Sequence, residues 1–151
     1  MNRFSSVVLT AAVLAIAIGC GGGGSNLGVS VSDRLEVTKD IERAPFNFSY
    51  GEDRVNITHH DRWDGDIPAG TVLEVFVNPR AGASTITVQI VQAMVERTNA
   101  EGEVEQVQSD DARELRRHFV PDRFRTADLQ YYTISLDTAL LGSQARLKKL
   151  E

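Results

Sequence analysis

The chain has 151 residues, 42% of them hydrophobic, and a formal net charge of −5. That length suits one domain behind a short leader, and the acidic balance argues against nucleic acid or an anionic lipid surface as the main partner. A single cysteine, Cys20, leaves no disulfide within the domain, so the fold must stand on its core alone.

Residues 1–19 open on the basic Arg3, continue as an apolar run from Val7 to Ile18 broken only by Thr10, and end in small residues before Cys20. That order is the layout of a secretory signal. The run is about half of the roughly 20 residues a membrane-spanning helix needs. Ala17-Ile18-Gly19-Cys20 resembles a bacterial lipobox, with Ala17 standing where that motif usually carries Leu. The resemblance implies a lipoprotein: residues 1–19 form the cleaved signal peptide, and Cys20 receives diacylglycerol and becomes the mature N-terminus. The partner it implies is the membrane of a bacterial cell envelope, reached through the lipid. Two or more acyl chains give stable anchoring where one is marginal. With Gly21 after the cysteine, it further implies the outer membrane, facing the periplasm, in a Gram-negative cell. Residues 20–28, with Gly21 to Gly24 at their centre, then form a flexible tether. Gly19, Gly21 and Gly24 have the spacing of a dinucleotide fingerprint, but the stretch straddles the cleavage site and follows no strand. No cofactor is expected.

The body, 29–151, reads as strands. Val29, Val31, Leu35 and Val37 alternate with polar residues, the period of a half-buried strand, with Asp33 as a point of interruption. Phe46, Phe48 and Tyr50 give a second strand after a break at Pro45. Gly51-Glu52-Asp53 turns into a third strand through Val55 and Ile57. His59 to Gly70 is too rich in Asp, Gly and Pro for a strand interior and reads as a loop. Leu73, Val75 and Val77 resume the alternation. From Ser84 to Thr98, Ile86, Val88 and Ile90 keep one parity, and Val91, Ala93 and Val95 the other. Such a phase slip predicts a β-bulge near Ile90–Gln92, and the β-branched content favours a strand over a helix. Asn99 to Gly102 turns into a short acidic edge strand, Glu103–Gln108, whose glutamates discourage edge-to-edge pairing.

One helix is predicted near 110–119, with Asp111 and Glu114 at capping-box spacing and Pro121 stopping it. Leu129 to Asp137 returns to strand with Tyr132, Ile134 and Leu136 inward, and the tail from Ala139 fits either an edge strand or a short helix. The whole predicts an all-β fold, an immunoglobulin-like β-sandwich of seven to eight antiparallel strands with one short helix. An eight-stranded barrel is the alternative. Asp128-Leu129-Gln130-Tyr131 loosely resembles the tyrosine corner of immunoglobulin-like domains, which implies a hydroxyl bonded back to the backbone.

Candidate chemistry concentrates in 59–70. Asp61, Asp64 and Asp66 offer hard oxygen donors for calcium, without EF-hand spacing. In a strand continuing from Val55 and Ile57, His59 and His60 would point to opposite faces and make a poor zinc pair, and no metal site is assigned. Trp63, the only tryptophan, is suited either to stacking on a sugar or partner or to plugging the end of the core, with Arg62 beside it. No nucleophile elbow or metalloprotease helix is present in the sequence, so no catalytic residue is assigned. Arg113, Arg116, Arg117, Arg123 and Arg125 form a local basic patch that reads as an exposed helix face complementing nearby acids, with docking of an anionic surface or acidic partner segment as the alternative. The expectation is a non-enzymatic interaction or structural module with an envelope protein partner. The alternative is a carbohydrate- or calcium-binding module using Trp63, Arg62, Asp61, Asp64 and Asp66.

Overall fold

The computed structural model describes residues 27–141 and 146–151. The leader and Cys20 lie outside the described residues, as does most of the glycine-rich tether. Among the described residues eight strands form: β1 (Arg34–Val37), β2 (Ile41–Gly51), β3 (Ile57–Ile67), β4 (Val72–Val75), β5 (Thr85–Thr98), β6 (Val104–Ser109), β7 (Leu129–Asp137) and β8 (Leu147–Lys149). One helix, α1 (Ala112–Phe119), sits between β6 and β7. The strands pair antiparallel in the order β3-β2-β7-β5-β4-β1-β8, with β6 added to β5.

The core decides how this sheet is shaped. Phe46 and Phe48 on β2, Ile134 on β7, Leu35 on β1 and Leu147 on β8 are all fully buried in one cluster. β2 and β8 stand near opposite ends of the strand order. Among the described residues one eight-residue helix is too short to cover so long an apolar face, and the sheet folds over and encloses its own side chains. The result is an all-β, sandwich-like fold. Inward positions on β2, β5 and β7 follow the alternation read from the sequence, with Phe46, Phe48, Tyr50, Ile86, Val88, Tyr132, Ile134 and Leu136 all buried.

The bulge on β5 is where the phase slip placed it. Leu73 pairs with Ile90 and Val72 with Gln92, leaving Val91 as the extra residue. Before it β5 pairs with β7 and β4; beyond it β5 pairs with β6. The bulge therefore lets one strand serve two sets of partners while Ile90, Ala93 and Val95 all stay inward. Asp111 caps α1, its carboxylate accepting from the amides of Arg113 and Glu114 at 2.8 and 3.0 Å. The reciprocal half of the capping box is made differently. Ser109 Oγ accepts from the Asp111 amide at 3.2 Å, and Glu114 turns to Arg97 and Ser109 instead.

Several expectations are corrected. Pro45 does not break β2: its registered neighbour is Asp64 on β3, and pairing with β7 begins only at Phe46, so no ladder donor is missed there. Val31 and Val77 are about half exposed, and Val55 is 88% exposed in the β2–β3 connection rather than in a strand. β1 is shortened to four residues by a turn with Ser32 in the left-handed region (φ 69°). The tail resolves into a 3₁₀ turn at Thr138–Leu140 and an edge strand, β8, on β1. The largest correction is His59 to Gly70: it is strand as far as Ile67, paired to β2 along its length. Pairing to a neighbour supplies the backbone bonds, and an edge strand tolerates Asp and Gly that a central strand would not.

Candidate functional site

As a strand, 57–67 sorts its side chains by parity. Trp63, Gly65 and Ile67 face the core; Arg62, Asp64 and Asp66 face out, and Asp61 shares the parity of Trp63. The three carboxylates expected to act together are thus parted, Asp61 on one face and Asp64 and Asp66 on the other. Asp64 lies 3.7 Å from both Arg43 and Arg62, and Asp66 accepts from the Arg43 amide at 2.9 Å. Those bonds fix the left-handed Arg43 (φ 55°) where β2 slips register between Ile41 and Ala44. Among the described residues no group of three or more His, Cys, Asp and Glu side chains is placed to hold a metal ion.

Trp63 plugs the core. It packs partly buried against the central cluster, its ring 5.5 Å from Phe46, its cross-strand partner. It also lies flush over Gly65: a Cβ there would stand 2.3 to 2.9 Å from three carbons of the indole. His59, further along the same face, stacks on Tyr50 with ring centroids 4.4 Å apart. The predicted basic patch is largely spent on structure. Arg116 donates to the carbonyls of Leu129 and Gln130, both at 3.1 Å, Arg125 pairs with Asp122, and Arg123 covers the Phe124 ring at 4.6 Å.

A different place gathers polar, cationic and aromatic side chains. β5 and β7 pair from Thr85↔Asp137 to Val88↔Ile134 and then diverge. Carbonyls of β7 beside the gap are met by side chains: Gln89 Nε2 donates to Tyr132 O at 3.1 Å, and Arg116 to the carbonyls of Leu129 and Gln130. Leu115 and Phe119 of α1 are buried, and Leu115 lines this split. What remains open is a cleft of about 150 Å³ lined by Arg54, Gln89, Arg116, Gln130 and both tyrosines of β7. Burial pushes the Tyr132 phenol up to about 12, and Arg116 partly opposes that shift. Past Gln89 the cleft adjoins a second hollow of about 230 Å³ formed by Arg54, Phe76, Gln89 and Tyr131.

Tyr131 does not form a tyrosine corner. Its ring leans on Phe76, centroids 5.6 Å apart, on the outer face of the sheet; it is Tyr50 that donates its hydroxyl to a distant backbone oxygen, Phe124 O at 3.2 Å. Cross-strand register continues this row through Ser49 to His60, joined by a 3.1 Å hydrogen bond. Arg62 lies in the next row, opposite Asn47. Arg54 comes to the cleft from the β2–β3 connection, held by Asp53, which accepts from the amides of Val55 and Asn56 at 2.8 Å. Those bonds hold the Asp53 carboxyl below its ordinary value. Sequence reasoning passed over Arg54, Phe76 and Gln89 because they sit on three different elements; the apolar outward parity of Phe76 was the one available signal.

No protein-family model matches the chain, and no curated protein or solved structure gives a match.

Proposed function

We propose that this chain is a bacterial envelope lipoprotein, anchored through a lipid on Cys20, whose β-body acts as a non-enzymatic protein-interaction module. The observation that carries the reading is Gly19-Cys20 at the end of a basic-then-apolar leader, followed by Gly21 to Gly24. The folded body supports it in two ways. Leu27 already packs against the core, so only a handful of residues separate body from anchor and the body works close to the bilayer. The outer face carries Phe76, Tyr131 and Arg54 together, and aromatic and arginine side chains are the residue types that dominate binding energy at protein interfaces. In a Gram-negative cell, Gly21 after the cysteine fits the periplasmic face of the outer membrane.

Palmitate labelling tests the anchor. Wild-type chain expressed in a bacterium should incorporate label and partition with membranes, and Cys20→Ala should do neither. Label retained by Cys20→Ala, or wild-type chain found in the aqueous fraction, would overturn the reading.

A further inference from the structure

We propose that the cleft between β5, β7 and α1 takes the carboxyl end of a partner polypeptide, with its terminal carboxylate on Arg54 and its last, apolar side chain on Phe76 and Tyr131. The inference deepens the interaction-module reading and rests on it.

Charge is the first argument. The net charge of the chain is −5, yet the residues lining the cleft and its adjoining hollow include Arg54 and Arg116 and no carboxylate. The nearest acid along the chain, Asp53, is engaged by backbone amides. The two cations differ in availability. Arg116 is tied to two β7 carbonyls, whereas Arg54 is exposed and has no hydrogen bond or ion pair among the described residues. One free guanidinium on a fixed turn matches one planar carboxylate, which it can hold through two parallel hydrogen bonds. A doubly charged phosphate would call on Arg116 as well, at the expense of the β7 carbonyls.

Shape is the second. The hollow beside Arg54 holds about 230 Å³, room for about one large side chain and too little for a drug-sized ligand. Its wall is the Phe76–Tyr131 pair, with Phe76 38% exposed. An apolar wall directly beside a cation asks for an apolar group and an anion on the same carbon. A chain-terminal residue has that arrangement, because its carboxylate and side chain share one Cα. An internal Asp or Glu does not, since its carboxylate is the side chain itself. Gln89 adds directionality: one amide hydrogen is used on Tyr132 O, leaving its other N–H and its carbonyl for the backbone of the incoming residue.

The test uses the full chain, purified in detergent, and a fluorescein-labelled peptide ending Gly-Gly-Phe with either a free carboxyl or an amide terminus. Fluorescence anisotropy should show the acid binding at least tenfold tighter than the amide. Arg54→Gln should abolish that preference without moving the melting temperature, because Arg54 makes no hydrogen bond or ion pair among the described residues, and Tyr131→Ala should weaken the acid. Equal binding of acid and amide, no binding of the acid up to about 1 mM, or wild-type binding by Arg54→Gln would each overturn the proposal. Competition by 3-phenylpropionate at the peptide's own concentration would assign the cleft to small carboxylates and overturn the polypeptide source. Palmitate labelling reads the anchor separately, so failure of one reading leaves the other measurable.

Discussion

Replacing Gly65 with Ala probes the contact that takes Trp63 out of consideration as a free binding residue. The added Cβ would stand 2.3, 2.7 and 2.9 Å from three indole carbons, well inside the 3.5–4.0 Å at which carbon atoms rest against one another. The ring must therefore shift by about 1 Å, and overpacking of that kind costs about 1–3 kcal/mol. Part of the cost is the Phe46–Trp63 contact at 5.5 Å, since aromatic pairs contribute about 0.5–1.5 kcal/mol beyond their buried area. Trp63→Ala alone should cost about 2–4 kcal/mol, somewhat less than a fully buried aromatic deletion because the ring is only partly buried. In that background the obstruction is gone, and Gly65→Ala should become neutral or gain about 0.5 kcal/mol from the chain entropy that glycine loses. The double-mutant cycle should thus show a coupling of about 2 kcal/mol. Urea unfolding of the four proteins measures it, and emission from the only tryptophan should shift to the red in Gly65→Ala as its ring lifts toward water. A Gly65→Ala cost equal in both backgrounds to within about 0.5 kcal/mol would refute the packing of Trp63 on β3.

Removing the α1 cap with Asp111→Ala should lower stability by about 1 kcal/mol, a fall of several degrees in a thermal melt. Glu114 receives its hydrogen bonds from Arg97 and Ser109, which hold its carboxyl below the ordinary value of 4.5. A lowered folded value means the contribution is present above about pH 4.5 and lost as pH falls through the folded value. The stability gap between wild type and Glu114→Gln should therefore close on acidification below pH 4.5, and a gap that stayed constant would contradict the pairing. Tyr132 runs the other way. With its phenol raised to about 12 from 10.0 by burial, the folded protein should lose stability as pH climbs past 10, and Tyr132→Phe should reduce that alkaline loss. Arg116→Met should cost about 1–3 kcal/mol through the Leu129 and Gln130 carbonyls it leaves without a donor. Amide exchange should then rise where β5 and β7 part.

Local pattern carried much of this protein. The parity of Phe46, Phe48 and Tyr50, of Ile86, Val88 and Ile90, and of Tyr132, Ile134 and Leu136 determines which faces are buried, because a strand offers its side chains to two sides alternately. The phase slip after Ile90 determines the bulge, since only an extra residue lets both Ile90 and Ala93 face inward. Asp111 and Pro121 bound the helix through donors and φ angles that are properties of those residues themselves. Composition, by contrast, misread 59–67. Asp, Gly and His spell a loop when summed locally, and what makes them a strand is β2 alongside, whose backbone bonds no property of the stretch itself reveals. The same dependence on a neighbour explains Pro45, harmless where β7 has not yet joined, and Trp63, whose covering of Phe46 and Gly65 follows from register. The cleft lay furthest from the sequence. Arg54, Phe76, Gln89 and Tyr131 come from four separate stretches of the chain, and they meet where β5 leaves β7 after Val88. Beyond that point β5 keeps β4 and takes up β6 from Ala93 onward, a decision of the tertiary structure alone.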